Sequence, residues 1–214
     1  MISITNKFIF VHIPKTAGVS LYLALFSKEH KPAKFPCKGG VLGWNHESLE
    51  QIESGMRNLN IDTESFYKFT VIRNPWDKIL SSYLFWKNMS PSSKIYDKDQ
   101  SEYMTKHNLS FKDFCMCLND DVPIFCNTAH CQPQLDFFIK TPDSFNKILR
   151  FENLQSGIQE VLLDIHLTDV HIPHYNKTSH KHYSEYYDEE TREIVAQKYA
   201  KDIEYFGYKF ESLK

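Results

Sequence analysis

The apolar residues of this chain follow two spacings, one typical of strands and one typical of helices. Short apolar runs rich in β-branched and aromatic residues occupy residues 8–13, 66–73, 134–140 and 147–151, and each predicts a buried strand. Apolar residues spaced three and four apart predict helices between and after these runs. Because strands and helices alternate, the pattern predicts an α/β fold with a mainly parallel sheet and a ligand at the carboxyl ends of its strands.

The predicted helices differ in how clearly their starts are marked. One begins with Asn74 as the N-cap and Pro75 in the first helical position, which are strong start signals. The helices are predicted at residues 19–26, 47–54, 74–84, 110–118, 154–166 and 188–203. The polar stretches at residues 27–45, 90–108, 119–132 and 167–183 are predicted to be irregular. We expect a single domain over residues 1–214, with a loop insertion around residues 89–109.

The first strand and the first helix are joined by a tight Pro-Lys-Thr-Ala-Gly turn at residues 14–18. Such a junction directs backbone N–H groups at the space above the helix N-terminus, where the helix dipole adds partial positive charge. Lys15 adds a full positive charge, and Thr16 and Ser20 offer hydroxyl groups. Gly18 allows the backbone to approach a ligand closely. The turn is therefore a candidate site for an anion, most simply a phosphate.

This turn differs from a Walker A loop. That motif places a glycine directly before its lysine and another five residues earlier, but here those positions hold Pro14 and Ile9. The pair Lys15-Thr16 is by itself a weak signal, because a lysine after a buried strand is common. The alternative is an ordinary turn between a strand and a helix.

A second candidate anion contact follows the second strand. Arg73 ends that strand, and Ser81 lies about two turns into the next helix, on the face opposite its apolar stripe. An arginine binds a phosphate through two parallel hydrogen bonds, and a hydroxyl group completes the contact. We therefore expect Arg73 and Ser81 to converge on one ligand group. The alternative is an arginine in an ion pair and a solvated serine.

Composition narrows the class of protein. The chain has 214 residues, 42% of them hydrophobic, which is enough for a real core. Its formal net charge of −2 gives no general attraction to nucleic acid or to a membrane surface. The sequence shows no signal peptide and no apolar run of about 20 residues, so we expect no stable membrane insertion and a soluble, cytoplasmic protein.

The cysteines, with one histidine among them, raise the alternative of a zinc site. Their odd number, without an export signal, favours reduced thiols. The C-x-C and H-C spacings differ from the C-x₂-C pairs of structural zinc sites, so we expect no metal. The residues concerned are Cys37, Cys115, Cys117, Cys126, His130 and Cys131.

In this order along the chain, the two anion-binding turns resemble those of sulfotransferase family 2, which includes carbohydrate sulfotransferases such as the heparan sulfate 2-O-sulfotransferases. Residues 13–20 resemble the family's loop for the 5′-phosphosulfate. Arg73-Asn74-Pro75, continuing to Ser81, resembles its 3′-phosphate motif. Residues 149–154 and 202–210 extend the resemblance over nearly the whole chain. One departure is Lys78, where the family usually has arginine, so a phosphate or packing contact there is expected to be weaker.

The resemblance implies a P-loop-like, three-layer α/β/α fold with a central, mainly parallel sheet. It also implies 3′-phosphoadenosine 5′-phosphosulfate as sulfate donor, no metal, and a carbohydrate or other small hydroxyl compound as acceptor. Residues 176–179 resemble the loop that covers the nucleotide in the family, or are an ordinary polar loop. The implied donor-binding residues are Lys15, Thr16, Ala17, Gly18, Val19, Ser20, Arg73, Ser81 and Lys177.

Sulfuryl transfer requires a base for the proton of the acceptor hydroxyl. His46 lies between the two nucleotide motifs, where family members place a catalytic histidine or glutamate, so we expect Lys15 and His46 to be the catalytic residues. Glu47 is the neighbouring alternative and His174 the next, unless His46 only caps the following helix. His12, in the first strand, is expected to be a core histidine.

Two rival functions stay open from the sequence. A P-loop kinase or NTPase would also need an acidic magnesium ligand after a second strand, where this chain has Arg73. A non-catalytic nucleotide- or glycan-binding module would bind without transferring sulfate. Trp44, Trp86 and Tyr103 are candidates for stacking on a sugar ring, although such aromatic residues usually belong to the core.

Overall fold

The computed structural model describes residues 1–26, 35–37, 40–42, 46–89, 98–170, 172 and 180–212, with the backbone alone at 35–37 and 40–42. The strands are, in chain order, β1 Ile2–Ser3, β2 Phe8–Val11, β3 Phe35–Cys37, β4 Gly40–Leu42, β5 Tyr67–Ile72 and β6 Lys147–Arg150. The α-helices are α1 Gly18–Leu25, α2 Leu49–Asn58, α3 Pro75–Lys87, α4 Lys98–Lys106, α5 Phe111–Asn119, α6 Pro123–Cys126, α7 Leu154–Asp164, α8 Glu189–Lys198 and α9 Ala200–Phe206. The fold is therefore mixed α/β and mostly helical.

The chain divides into two compact units. The first comprises Met1–Arg73 and Gln134–Thr178, and the second comprises Asn74–Pro133 and Ser179–Lys214.

The first unit is built on a four-stranded sheet with the strand order β1-β2-β5-β6. The strands β2, β5 and β6 are parallel, and only β1 runs antiparallel to its neighbour. Phe10 lies opposite Phe69 in the register, and their rings stack with centroids 5.0 Å apart. The three parallel strands, predicted from the apolar runs, place their carboxyl ends at one edge of the sheet.

One face of this sheet carries a large hydrophobic cluster of the first unit. Side chains of α1 and α7 pack there against the strand residues, which fits the nearly continuous apolar pattern of both strands and helices. The buried members include Phe8, Phe10, Leu21, Leu25, Phe69, Val71, Leu149, Ile158 and Val161. This packing holds α1 against the sheet, next to β2.

Two predictions for the first unit are wrong, and the bounds of a third differ from those predicted. Residues 134–140 are not a strand, because Gln134–Ile139 forms a π-helix closed by a hydrogen bond from Lys140 N to Leu135 O. An apolar run of this length suits a buried helix as well as a strand, and periodicity cannot separate them. Within the predicted irregular stretch 27–45, β3 and β4 pair as an antiparallel hairpin. The helix predicted at 47–54 begins and ends later, as α2.

The second unit is helical over the residues that the structure describes. Its α3 starts as predicted, with the Asn74 side chain accepting from Trp76 N and Pro75 in the first turn. Trp86 is fully buried in the core of this unit, where its ring packs on Phe114 and His130, so it is a core residue and not a sugar platform.

Three predictions for the second unit are wrong. The stretch 119–132, predicted to be irregular, contains α6 and a short 3-10 helix at Ala129–Cys131. The predicted loop at 90–108 contains α4, which has too few apolar residues for a periodic signal but buries Met104 in the core. The helix predicted at 188–203 is two helices, because the backbone at Tyr199 (φ −111°, ψ 24°) leaves the helical region between α8 and α9. The phenol of Tyr199 is buried and donates a hydrogen bond to Cys131 O, which is a contact that periodicity does not reveal.

Candidate functional site

The loop between β2 and α1 has an unusual backbone. Lys15 and Ala17 both have left-handed conformations, with φ of 66° and 68°. Residues other than glycine rarely adopt such values, because each costs about 1–3 kcal/mol that the surrounding contacts must offset. Between them, Thr16 is fully buried and its Oγ1 donates a hydrogen bond of 2.8 Å to Ile13 O. Local strain of this kind is concentrated at ligand-binding sites.

The loop leads into a helix N-terminus suited to an anion. The N-cap residue Ala17 has no side chain that could accept from the first turn of α1, and that turn contains no acidic residue. Ser20 is buried, whereas Val19 is 47% exposed. The helix therefore begins with its dipole and amide groups uncompensated by any carboxylate of its own first turn.

Arg73 is tied to this loop. Its Nη1 donates a 2.8 Å hydrogen bond to Lys15 O, and its guanidinium lies 4.1 Å from the centroid of the Phe151 ring. The side chain of Gln134 accepts from Arg73 N and donates to Arg73 O, both at 2.9 Å. The sequence did not single out Gln134 as a site residue, because the apolar run that begins with it predicts a strand. Arg73, only 7% exposed, is therefore held by hydrogen bonds at its backbone and at its guanidinium group.

His46 does not cap the helix that follows it. Ser48 is the N-cap of α2, with its Oγ accepting from Gln51 N and its own N–H donating to Gln51 Oε1. His46 Nδ1 lies 3.1 Å from the backbone oxygen of His12. Because a carbonyl oxygen only accepts hydrogen bonds, Nδ1 carries the hydrogen, and the lone pair of the neutral ring is on Nε2. This tautomer suits a base that acts through Nε2.

The ring of His12 packs against Phe10 of the core and also against two residues of the candidate site. The strand β2 ends at Val11, and the ring of His12 lies against Gly18, with its centroid 4.5 Å from that of His46. Burial lowers the pKa of His12 well below its usual value, and repulsion from His46 and Lys15 lowers it further. His12 is therefore a neutral imidazole near neutral pH. The space beside Gly18, expected to admit a ligand, is taken by this ring.

Two of the remaining predicted residues, Glu47 and Ser81, belong to the described part of the chain. Glu47 follows His46 in the chain and is half-buried. Ser81 is a buried residue of α3 in the second unit, so its convergence with Arg73 stays a prediction. Lys177, His174 and Trp44 lie outside the described residues.

Lys78 makes packing contacts within the second unit. It is 1% exposed, and its Nζ donates to His130 O at 2.6 Å and to Gln132 O at 3.2 Å. The sequence left open a phosphate or a packing contact for this position, and these hydrogen bonds make it a buried support for the segment that follows α6.

The cysteines whose side chains the structure describes are free thiols. Burial raises the pKa of the Cys131 thiol to about 12 and also raises the pKa of Cys115. In the part of the chain that the structure describes, no three His, Cys, Asp or Glu side chains are grouped as a metal ion requires.

Comparison with known proteins identifies a family for this chain. A model of the sulfotransferase family matches residues 1–209 of the 214. Searches of curated proteins and of solved structures found no significant match. Within the described residues, none of the helices has the length and apolar character needed to cross a membrane.

Proposed function

The chain belongs to the sulfotransferase family, and we propose that it transfers the sulfuryl group of 3′-phosphoadenosine 5′-phosphosulfate to a hydroxyl group of a carbohydrate or related acceptor. The P-loop-like, three-layer arrangement implied by the family resemblance is part of this proposal, as is a cytoplasmic location. The observation that carries it is the strained loop at the N-terminus of α1, which Arg73 holds and beside which His46 lies.

The residues of this loop fit an anionic donor. An uncapped helix start, left-handed backbone on both sides of Thr16 and the positive charge of Lys15 together favour a phosphosulfate group. In the proposed assignment, Lys15 and residues 16–20 would hold the 5′-phosphosulfate. Arg73 and Ser81 would contact the 3′-phosphate, and Lys177 would help to cover the nucleotide.

Two side chains, Lys15 and His46, would carry out the chemistry in this proposal. When bound, the donor supplies a sulfuryl group, whose bond to the 5′-phosphate oxygen breaks as the acceptor oxygen bonds to sulfur. Lys15 offsets the negative charge that grows on the departing phosphate oxygen. His46 accepts the proton of the acceptor hydroxyl at Nε2, the nitrogen left unprotonated by the hydrogen bond from Nδ1 to His12 O.

A kinase or NTPase is the first alternative. It would require the Walker glycines, which are replaced by Ile9 and Pro14, and an acidic magnesium ligand after β5, where Arg73 stands. A non-catalytic binding module is the second alternative, and it would not need a histidine in a tautomer suited to a base.

The decisive experiment offers the purified protein the sulfated donor with a library of glycans and small alcohols, and identifies products by mass spectrometry. We expect a gain of one sulfate on an acceptor, independent of added metal. Lys15→Ala, expected to lose at least roughly 10²-fold in turnover, serves as the low-activity control. Turnover of ATP with Mg²⁺, without sulfate transfer, would favour the kinase. Nucleotide binding without any transfer would favour the binding module.

A further inference from the structure

The ring of His12 occupies the space that a side chain at position 18 would need. A Cβ built on Gly18 would lie 1.7 Å from His12 Nε2 and 1.9 Å from its Cδ2, far inside van der Waals contact. The backbone of Gly18 is not left-handed, so its conformation would accept any residue. The ring of His12 is therefore the feature that excludes a side chain at the first residue of α1.

The same histidine contacts His46 in two ways. The two rings lie with centroids 4.5 Å apart at 57°, and the backbone oxygen of His12 accepts the hydrogen bond from His46 Nδ1. One residue thus touches the start of the anion-binding helix on one side and the proposed base on the other.

We propose that His12 is a positioning residue, whose ring is wedged between Gly18 and His46 and sets the spacing between the helix N-terminus and the catalytic imidazole. The role of His46 in this inference rests on the proposed function, whereas the wedge against Gly18 does not. The neutral ring of His12 suits its place, because a cation beside a helix N-terminus would be disfavoured.

A double-mutant cycle tests the wedge without any assay of activity. Gly18→Ala should lower the unfolding midpoint strongly or prevent folding in the wild type, because the new methyl group collides with the ring. In His12→Ala the same change should cost less than half as much. Gly157→Ala is the matched control, since a Cβ there meets only the end of the Leu149 side chain at 3.0 Å.

Each outcome of the cycle decides the question. If His12→Ala restores the stability of the Gly18→Ala protein, the result supports the proposed contact between the His12 ring and Gly18. This holds even when Gly18→Ala alone does not fold. A harmless Gly18→Ala, or equal losses in both backgrounds, would overturn it. The effect of Gly157→Ala should be the same with and without His12.

Kinetics test the link to His46. His12→Ala should lower kcat by roughly 10- to 100-fold, because a displacement near 1 Å of a catalytic group has effects of this size. Affinity for 3′,5′-bisphosphoadenosine should change much less, and His12→Gln, which keeps a flat polar group, should recover part of kcat. An unchanged kcat would overturn the positioning role. If the wild type transfers no sulfate, the proposed function fails, and the cycle with Gly18 still decides the wedge.

Discussion

Arg73 Nη1 donates a hydrogen bond of 2.8 Å to the backbone oxygen of Lys15, and so joins the end of β5 to the loop that follows β2. A carbonyl oxygen that points at a guanidinium fixes the peptide plane after Lys15, where the backbone is left-handed. The arginine therefore helps to impose the strained loop, in addition to any ligand contact. Removal of the Arg73 side chain should therefore disturb the loop as well as any contact with a ligand.

We expect Arg73→Ala to weaken binding of 3′,5′-bisphosphoadenosine by about 10- to 150-fold, the loss of ~1.5–3 kcal/mol typical of a charged hydrogen bond. The wild type should prefer this nucleotide strongly over AMP and ATP, without metal, and the variant should lose most of that preference. Calorimetric titration measures all of these affinities. The exposed Arg57, changed to alanine, is the control.

Two results would revise the assignment of Arg73. Equal losses for the bisphosphate and for AMP would mean that Arg73 acts only through the loop. A wild type without preference for the bisphosphate would remove the 3′-phosphate contact altogether.

Lys15→Ala should lower turnover by at least roughly 10²-fold, a typical loss for a group that acts on transition-state charge. Binding of the desulfated nucleotide should fall less, because charge on the departing oxygen develops most fully during transfer. Steady-state kinetics and titration together measure the difference, with the exposed Lys106→Ala as control. Similar losses in both would make Lys15 a uniform anchor for the phosphate.

His46→Ala should lose about 10²–10⁴-fold in turnover and keep nearly all of its nucleotide affinity, as expected for a general base. The pH–rate profile of the wild type should rise through one ionisation near neutrality, because a protonated histidine cannot accept the proton. That rise should be absent in His46→Ala and kept in Glu47→Gln. The reverse result would make Glu47 the base, and no effect of either would direct attention to His174.

The depressed pKa of His12 predicts a loss of stability in acid. The unfolded chain binds a proton at this histidine near pH 6.5, whereas the folded protein binds it only at lower pH. The free energy of unfolding should therefore fall as pH drops below about 6.5, by up to ~1.4 kcal/mol per pH unit for this group. Urea titrations of wild type and His12→Gln from pH 5 to 8 measure it. A stability difference that stays constant across this range would contradict the shift.

Lys78→Met should destabilise the second unit, because His130 O and Gln132 O lose a buried donor at a cost of about 1–3 kcal/mol each. Lys87→Met, at the end of the same helix, is the matched control, since its hydrogen bond to Leu109 O is exposed. Thermal and urea unfolding measure both variants. A Lys78→Met variant as stable as the wild type would show that burial of the lysine costs as much as its contacts gain.

The sequence alone determined the features that depend on neighbours in the chain. The parallel strands followed from apolar runs, α3 from Asn74 and Pro75, and the tight loop before α1 from a strand that ends a few residues before a helix. Each of these signals lies within a few residues, where local conformational preference and burial act together.

Only the tertiary structure decided which of these features meet. Arg73 and Lys15 are 58 residues apart in the chain, and His46 and His12 are 34 apart. Whether such residues come into contact depends on the packing of strands and loops far apart in sequence, which leaves no periodic trace. For the same reason, the sequence indicated a core histidine at position 12 and a space for a ligand beside Gly18. The tertiary structure places the ring of His12 against Gly18.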